Sequence, residues 1–209
     1  MDDDNAARPV PRERTAARLD RDAWALAAVT ALAEGGLAAV AVEPIAARLG
    51  ATKGSFYWHF ENRDALLAAA VELWERLGTE QVIAELEQLP DPAERLRRLF
   101  DRAFRLGDQG RIDLALLAHA DHPLVAPALA RVTARRVAYL ARLFGELGFA
   151  DVEARHWGLL AYTTYSGLAQ AQRSAPGDLF ADDADRARYV DFVFELLPGV
   201  SPAGRSPRR

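Results

Sequence analysis

The spacing of apolar residues is the feature that most limits the fold of this chain. Apolar side chains recur three and four positions apart along almost its whole length, and the alternation typical of a half-buried strand is rare. Spacings of three and four place side chains on one face of an α-helix. The sequence therefore predicts an all-α protein.

Helix boundaries follow from capping residues, glycines and prolines. Asp20 or Asp22 caps the first predicted helix and Gly35-Gly36 ends it, whereas Asp91-Pro92 begins a later one. The predicted helices cover approximately residues 20–34, 42–49, 53–60, 63–77, 91–107, 111–120, 124–147, 151–173 and 184–197.

Composition narrows the class of protein further. A chain of 209 residues, with 50% hydrophobic and 27% charged residues, fits one or two soluble globular domains. The absence of cysteine excludes a disulfide scaffold, thiol catalysis and a cysteine-based zinc site. The acidic start at residues 1–4 does not fit a secretion signal, and no apolar run is long enough to span a membrane. We therefore expect a cytoplasmic protein with no membrane partner.

One short segment stands out for its local chemistry. The net charge of −4 argues against a broadly basic nucleic-acid binder, so any such function has to come from a local arrangement. Gly50 separates two short predicted helices, as in a helix-turn-helix. In the second of them, Phe56 and Phe60 lie four apart and face inward together. The side chains left to project outward are Lys53, Tyr57, Trp58 and His59.

The residues of this segment suit contact with DNA. No acidic residue occurs between Ile45 and Phe60. The start of the second helix adds free N–H donors, and Gly54 permits close approach to a groove. The side chains that can bind phosphates or base edges are Arg48, Thr52, Lys53, Ser55, Tyr57 and His59. Packing of residues 57–59 against another helix is the alternative, but three successive large side chains span too wide an arc for one apolar face.

The segment closely resembles the DNA-binding domain of the TetR family of bacterial transcriptional regulators. The resemblance covers about residues 20–67. It is carried by Ile45-Ala46-Ala47, Gly50, Lys53-Gly54-Ser55, Tyr57, His59-Phe60 and Leu66-Leu67. It implies that the recognition helix bears Lys53, Ser55, Tyr57, Trp58 and His59.

Three positions next to the motif deserve separate mention. Arg63 stands where the family often has a lysine that touches phosphate. Ala41 stands where the family usually has a serine or threonine cap, a loss worth about 1 kcal/mol. Pro44 follows in the first turn of that helix, where proline is tolerated.

The resemblance also implies a domain order for the whole chain. We expect a three-helix helix-turn-helix DNA-binding domain over residues 19–67 and a helical-bundle ligand-binding and dimerisation domain over residues 68–198. A mobile arm at residues 1–18 and a disordered tail at residues 199–209 flank them. The expected partners are a double-stranded DNA operator, a second copy of the chain and an unknown small-molecule effector.

Two further sets of residues are assigned to the second domain. An internal pocket for an apolar or aromatic effector is predicted from Phe100, Phe104, Leu117, His119, Tyr139, Phe144 and Tyr162, with plain core packing as the alternative. A homodimer is predicted through residues 151–173 and 184–197, where Gly158 and Gly167 permit close helix approach. Its expected contacts are Trp157, Tyr165, Phe192 and Leu196, although core packing also suits Trp157.

Two other functions compete with a ligand-responsive repressor. A metalloenzyme would use His119, Asp121 and His122, but these residues are ordinary at a helix end before Pro123, and no catalytic motif supports it. A DNA-binding regulator controlled by a protein partner is the other alternative. We expect no enzymatic activity, no metal and no cofactor.

Overall fold

Helices account for all the regular structure in the described part of the chain. The computed structural model describes residues 20–104, 108–175 and 179–196, and no strand occurs among them. The all-α prediction is confirmed. The predicted arm and tail, Leu197 and the side chain of Phe104 lie outside the described structure. The α-helices are α1 Arg21–Ala39, α2 Val42–Leu49, α3 Lys53–Tyr57, α4 Arg63–Glu75, α5 Gln81–Leu86, α6 Pro92–Phe104, α7 Asp108–Leu117, α8 Ala126–Glu146, α9 Asp151–Ser174 and α10 Asp183–Leu196.

The first three helices begin at the residues that the sequence indicates, but α1 continues past the predicted stop at Gly35-Gly36 to Ala39. The Asp20 carboxylate accepts a hydrogen bond from the backbone N–H of Ala23 at 2.8 Å and so caps α1. Gly36 interrupts α1 with a φ of 66°, a left-handed conformation that favours glycine. Gly50 has a φ of 62° and ends α2. Ala41 supplies no side-chain cap to α2, as its residue type requires.

Three boundaries differ from the predicted ones. α3 ends at Tyr57 rather than at residue 60, because a turn through residues 58 and 59 follows it. α7 lies three residues before the predicted range at both ends. The predicted helix 63–77 continues through a π-helical turn, Arg76–Glu80, into α5, which the sequence analysis missed.

The first hydrophobic core lies beneath the helix-turn-helix. Trp24 and Phe56 are completely buried, with their ring centroids 5.5 Å apart in an edge-to-face arrangement. Phe60 stacks on Phe56 at 5.6 Å. Ile112 and Leu116 of α7 belong to the same cluster, so the core beneath the helix-turn-helix continues into the second half of the chain.

The second core lies among α5, α6, α8, α9 and α10. Its largest fully buried side chains are Tyr139 and Phe144 of α8. α8 and α9 touch backbone to backbone, because a Cβ on Gly158 would lie 2.7 Å from the Ala141 nitrogen. Gly158 therefore permits close approach within one protomer rather than across a dimer seam, whereas Gly167 has open space beside it.

Candidate functional site

The helix-turn-helix presents one face of α3 to solvent. The Thr52 hydroxyl accepts a hydrogen bond from the Ser55 backbone N–H at 3.1 Å and caps α3. Phe56 points into the core, whereas Tyr57 is 56% exposed and Trp58 is 88% exposed. Two large aromatic side chains thus stand in water beside a buried one, an arrangement that packing within this protomer does not require.

Two cations of the helix-turn-helix, Lys53 and Arg48, pair with carboxylates. Lys53 Nζ donates to the Glu43 carboxylate at 2.9 Å, and Arg48 donates to Glu34. The hydrogen bond to Lys53 lowers the pKa of Glu43, and that to Glu43 raises the pKa of Lys53. Both pairs are exposed and therefore weak. The sequence analysis missed both acids because they lie outside the acid-free stretch.

The remaining predicted contacts of α3 lie close to this face. Thr52 and Gly54 are exposed, and Ser55 and His59 are half-buried. A Cβ on Gly54 would meet only the Thr52 hydroxyl, at an ordinary 3.6 Å. Packing within the protomer therefore leaves room for a larger side chain at Gly54.

The guanidinium of Arg63 forms hydrogen bonds within the fold. Its guanidinium donates to the backbone carbonyls of Val40 and Leu37, each at 2.6 Å. These carbonyls lie at the C-terminal end of α1, and Arg63 is the first residue of α4. The side chain therefore joins the two helices, and its expected phosphate contact stays a prediction.

Two cavities lie in the second half of the chain. The smaller has a volume of about 140 Å³, and Phe100, Tyr139 and Tyr162 line it as predicted pocket residues. The larger has a volume of about 580 Å³ and lies among α7, α8 and α9, where Leu117 and Tyr162 line it. Leu117 is 53% exposed, so the larger cavity opens toward solvent at that residue.

Two other predicted pocket residues lie away from both cavities. Phe144 is fully buried and packs against Phe149 and Trp157, with ring centroids 6.0 and 6.1 Å away. His119 follows α7 beside the break in α1, with Nε2 3.9 Å from where a Cβ on Gly36 would stand. Neither side chain lines either of these two cavities, so both assignments stay predictions.

A hydrogen-bonded group of polar side chains lies where the two cavities meet. The Asp113 carboxylate accepts from Trp74 Nε1 at 2.6 Å, from the Arg136 guanidinium at 2.6 Å and from the Tyr165 hydroxyl at 3.0 Å. Arg136 also donates to the Thr79 hydroxyl at 3.0 Å. We call these five residues the Asp113 cluster. The sequence analysis missed it because its members are far apart in the chain and Asp113 resembles a surface acid.

Two predicted dimer residues point into the protomer. Trp157 packs against Phe144, and Tyr165 belongs to the Asp113 cluster, where burial raises the pKa of its hydroxyl. Phe192 is 54% exposed and Leu196 is 60% exposed, as a dimer surface requires. Further exposed apolar residues on α9 are Val152, Leu159 and Leu160.

The described residues give no support to a metal site or to a membrane-spanning helix. No three His, Asp or Glu side chains within them converge to hold a metal ion. His122 Nδ1 accepts a backbone hydrogen bond from Leu124 at 3.3 Å, an ordinary turn contact. None of the described helices is sufficiently long and apolar to cross a membrane.

Comparison with known proteins agrees with this geometry. Residues 26–70 match the family model described as bacterial regulatory proteins, tetR family. The predicted resemblance to the TetR family is therefore confirmed over residues 26–70. The match contains α2, α3 and most of α1 and α4, so it coincides with the DNA-binding helix-turn-helix. No curated protein matches the chain by sequence.

Solved structures share the fold of this chain over most of its length. A TetR-family transcriptional regulator from Agrobacterium tumefaciens has a TM-score of 0.67 at 19% identity, covering 82% of this chain and 96% of its own. A protein from Saccharomonospora viridis, described as a transcriptional regulator in complex with choline, has a TM-score of 0.69 at 21% identity, covering 83% and 94%. The transcriptional regulator FadR from Bacillus subtilis, in complex with stearoyl-CoA, has a TM-score of 0.62 at 16% identity, covering 86% and 99%.

Proposed function

We propose that this protein is a TetR-family repressor that binds a near-palindromic operator as a homodimer and leaves it when a small effector binds. The observation that carries the proposal is the exposure of Tyr57 and Trp58 beside Lys53, on a helix whose other face is held in the core by Phe56. Such a helix, opened by a cap and preceded by a tight turn, suits insertion into the major groove.

The proposed DNA contacts are those of α3 and the end of α2. Lys53 and Arg48 exchange their carboxylate partners for phosphates, and Tyr57 and Trp58 reach phosphates or base edges. We assign Arg63 to the fold instead, because its guanidinium is engaged with backbone carbonyls. The full set of proposed contacts is Arg48, Thr52, Lys53, Gly54, Ser55, Tyr57, Trp58 and His59.

The proposed dimer uses the exposed apolar faces of α9 and α10. Leu159 and Leu160 are each about half exposed, as are Phe192 and Leu196 on α10. Covering apolar surface of this kind favours association, and a two-fold axis makes the contact self-complementary. The two recognition helices then reach successive major grooves about 34 to 36 Å apart.

The proposed effector is small and largely apolar. Two structural neighbours are complexes with choline and with stearoyl-CoA, and this chain has two cavities among the helices that follow the helix-turn-helix. Phe100 and Tyr139 supply the apolar walls of the smaller cavity. These cavities favour a small-molecule effector over a protein partner.

A salt series of operator binding tests the DNA-contact assignment. Lys53→Ala and Tyr57→Ala should weaken operator binding without lowering the melting temperature, because both side chains point away from the core. Loss of the Lys53 phosphate contact should lower the salt slope by about one unit. Arg98→Ala removes an exposed cation from α6 and serves as the control. Unchanged affinity in folded Lys53 and Tyr57 variants would remove the assignment of α3.

A further inference from the structure

We propose that the effector is a small amphipathic carboxylate, with its anionic head on Arg136 and its apolar part in the 140 Å³ cavity. The inference rests on the proposed ligand-responsive function and specifies the chemistry of the ligand. The charge of the cavity wall, the size of the cavity and the hydrogen bonds of Arg136 support it.

The wall of this cavity is mostly apolar and includes two arginine side chains. Its described lining residues include Arg102 and Arg136 and no Asp or Glu. Arg102 is half-exposed and pairs with Glu85 at 2.8 Å, whereas the Arg136 side chain is only 15% exposed. A buried guanidinium is the protein group best matched to a carboxylate, because its N–H donors fit both oxygens.

The volume limits the apolar part to about one ring. A cavity of about 150 Å³ lined by aliphatic and aromatic side chains holds a benzene molecule, and this one measures about 140 Å³. Val82, Ile83 and Phe100 provide the corresponding apolar walls. An aromatic monocarboxylate or a short aliphatic acid therefore fits, whereas a long acyl chain exceeds this volume.

Arg136 connects the cavity to the helix that carries the DNA-binding unit. Its guanidinium donates to the Gly78 carbonyl at 3.2 Å and to the Thr79 hydroxyl, both in the π-helical turn after α4. It also donates to Asp113, which in turn accepts from Trp74 of α4. A ligand carboxylate would compete with Asp113 for the guanidinium. It would therefore disturb α4 both through Trp74 and through the π-helical turn.

The Asp113 cluster also contains groups that suit a cationic ligand, which is the alternative to a carboxylate. Asp113 lines the larger cavity together with Trp74 and Tyr165, and carboxylate and aromatic groups are the surroundings that a quaternary ammonium prefers. Asp113, however, already accepts hydrogen bonds from Trp74, Arg136 and Tyr165, and it does not line the smaller cavity. Arg136 does line that cavity, so the smaller cavity favours the anion.

Titration calorimetry on the DNA-free full-length protein tests the sign of the ligand charge. The probes are benzoate and hexanoate, each compared with its neutral amide, and benzyltrimethylammonium as the cation. We expect at least one acid to bind about tenfold or more tightly than its amide and than the ammonium, since a charge-assisted pair with Arg136 is lost in both.

Substitutions at Asp113 and at Arg136 should change the affinity for the acid in opposite directions. Asp113→Asn removes the competing carboxylate and should raise affinity for the acid about fivefold or more. Arg136→Gln should abolish the preference for acid over amide. If Arg136→Gln does not fold because Asp113 is left unpaired, the double variant Asp113→Asn/Arg136→Gln removes both charges and should show the same loss. Arg131→Gln is the matched control, because Arg131 also joins α8 to α4 but lines neither cavity.

Three results would overturn the inference. They are equal affinity for acids and amides, tighter binding of the ammonium, and an unchanged or lower acid affinity in Asp113→Asn. Absence of binding by every probe up to millimolar concentration would overturn it as well. Because these titrations contain no DNA, any of these results leaves operator binding as a separate question, and failure of operator binding leaves the ligand result intact.

Discussion

Arg63 illustrates how a single residue can suit a DNA contact in sequence and a different role in the structure. Its position after α3 fits a phosphate contact, yet its guanidinium reaches back more than twenty residues to the carbonyls of Leu37 and Val40. The spacing of residues near Arg63 cannot predict such a contact, because the two carbonyls become available as acceptors only where α1 ends. The inward Phe56 and outward Tyr57 were predictable, since helical geometry alone fixes their directions.

Replacing Arg63 should separate its two possible roles. Arg63→Met keeps the apolar stem and removes the donors, so the Val40 carbonyl loses this donor and the Leu37 carbonyl keeps the Val40 N–H. The free energy of unfolding should fall by about 1–3 kcal/mol. Arg76→Met breaks an exposed pair with Asp22 and should cost at most about 1 kcal/mol. Chemical denaturation measures both. A variant at Arg63 with normal stability and a smaller operator salt slope would restore the phosphate role.

Glu43 should restrain DNA binding. Its carboxylate occupies Lys53 and adds negative charge beside the proposed DNA face. Glu43→Gln should therefore tighten operator binding about two- to fivefold, the range that an exposed ion pair supports. Fluorescence anisotropy with labelled operator measures this change. Glu72→Gln on α4 is the control, and equal affinities for wild type and Glu43→Gln would show that the pair does not compete with DNA.

At the scale of elements, helices with strong end signals were predictable and the segment after α4 was not. Asp20, Gly36 and Gly50 mark boundaries through side-chain caps or left-handed φ, which are local properties. The π-helical turn Arg76–Glu80 has no such local signature. Arg136 of α8 holds its Gly78 carbonyl and Thr79 hydroxyl, which is a contact between distant segments. The candidate ligand site was only partly predictable for the same reason.

The close contact of α8 and α9 should be sensitive to one methyl group. Gly158→Ala would bring a Cβ to 2.7 Å from the Ala141 backbone, so the helices must separate and the free energy of unfolding should fall by about 1–3 kcal/mol. Gly145→Ala on α8 meets nothing within 4 Å and should be neutral or slightly stabilising, because alanine favours helix. Thermal melts compare them. Equal melting temperatures would contradict the close approach.

At the scale of the whole molecule, the first hydrophobic core extends from the helix-turn-helix into the second half of the chain. Ile112 and Leu116 of α7 pack in the cluster that also contains Trp24 and Phe56. α7 also carries Asp113, so the helix at the cavity contacts the DNA-binding unit directly. A change at the Asp113 cluster can therefore reach the recognition helix through α7 as well as through α4. Population shift between two dimer geometries needs such rigid connections, because differential affinity at the cavity has to alter the spacing of two distant helices.

Dimerisation should be required for operator binding. Phe192→Asp and Leu196→Asp place charges on the exposed apolar face of α10 and should yield monomers, which sedimentation velocity at micromolar concentration detects. A monomer reaches one half-site, so operator affinity should fall steeply and the salt slope should be roughly halved. Leu26→Asp is the matched control, since Leu26 is 52% exposed on α1 and lies outside the proposed interface. A monomeric wild type, or monomeric variants with wild-type operator affinity, would contradict the two-half-site arrangement, whereas dimeric variants would move the interface to another surface.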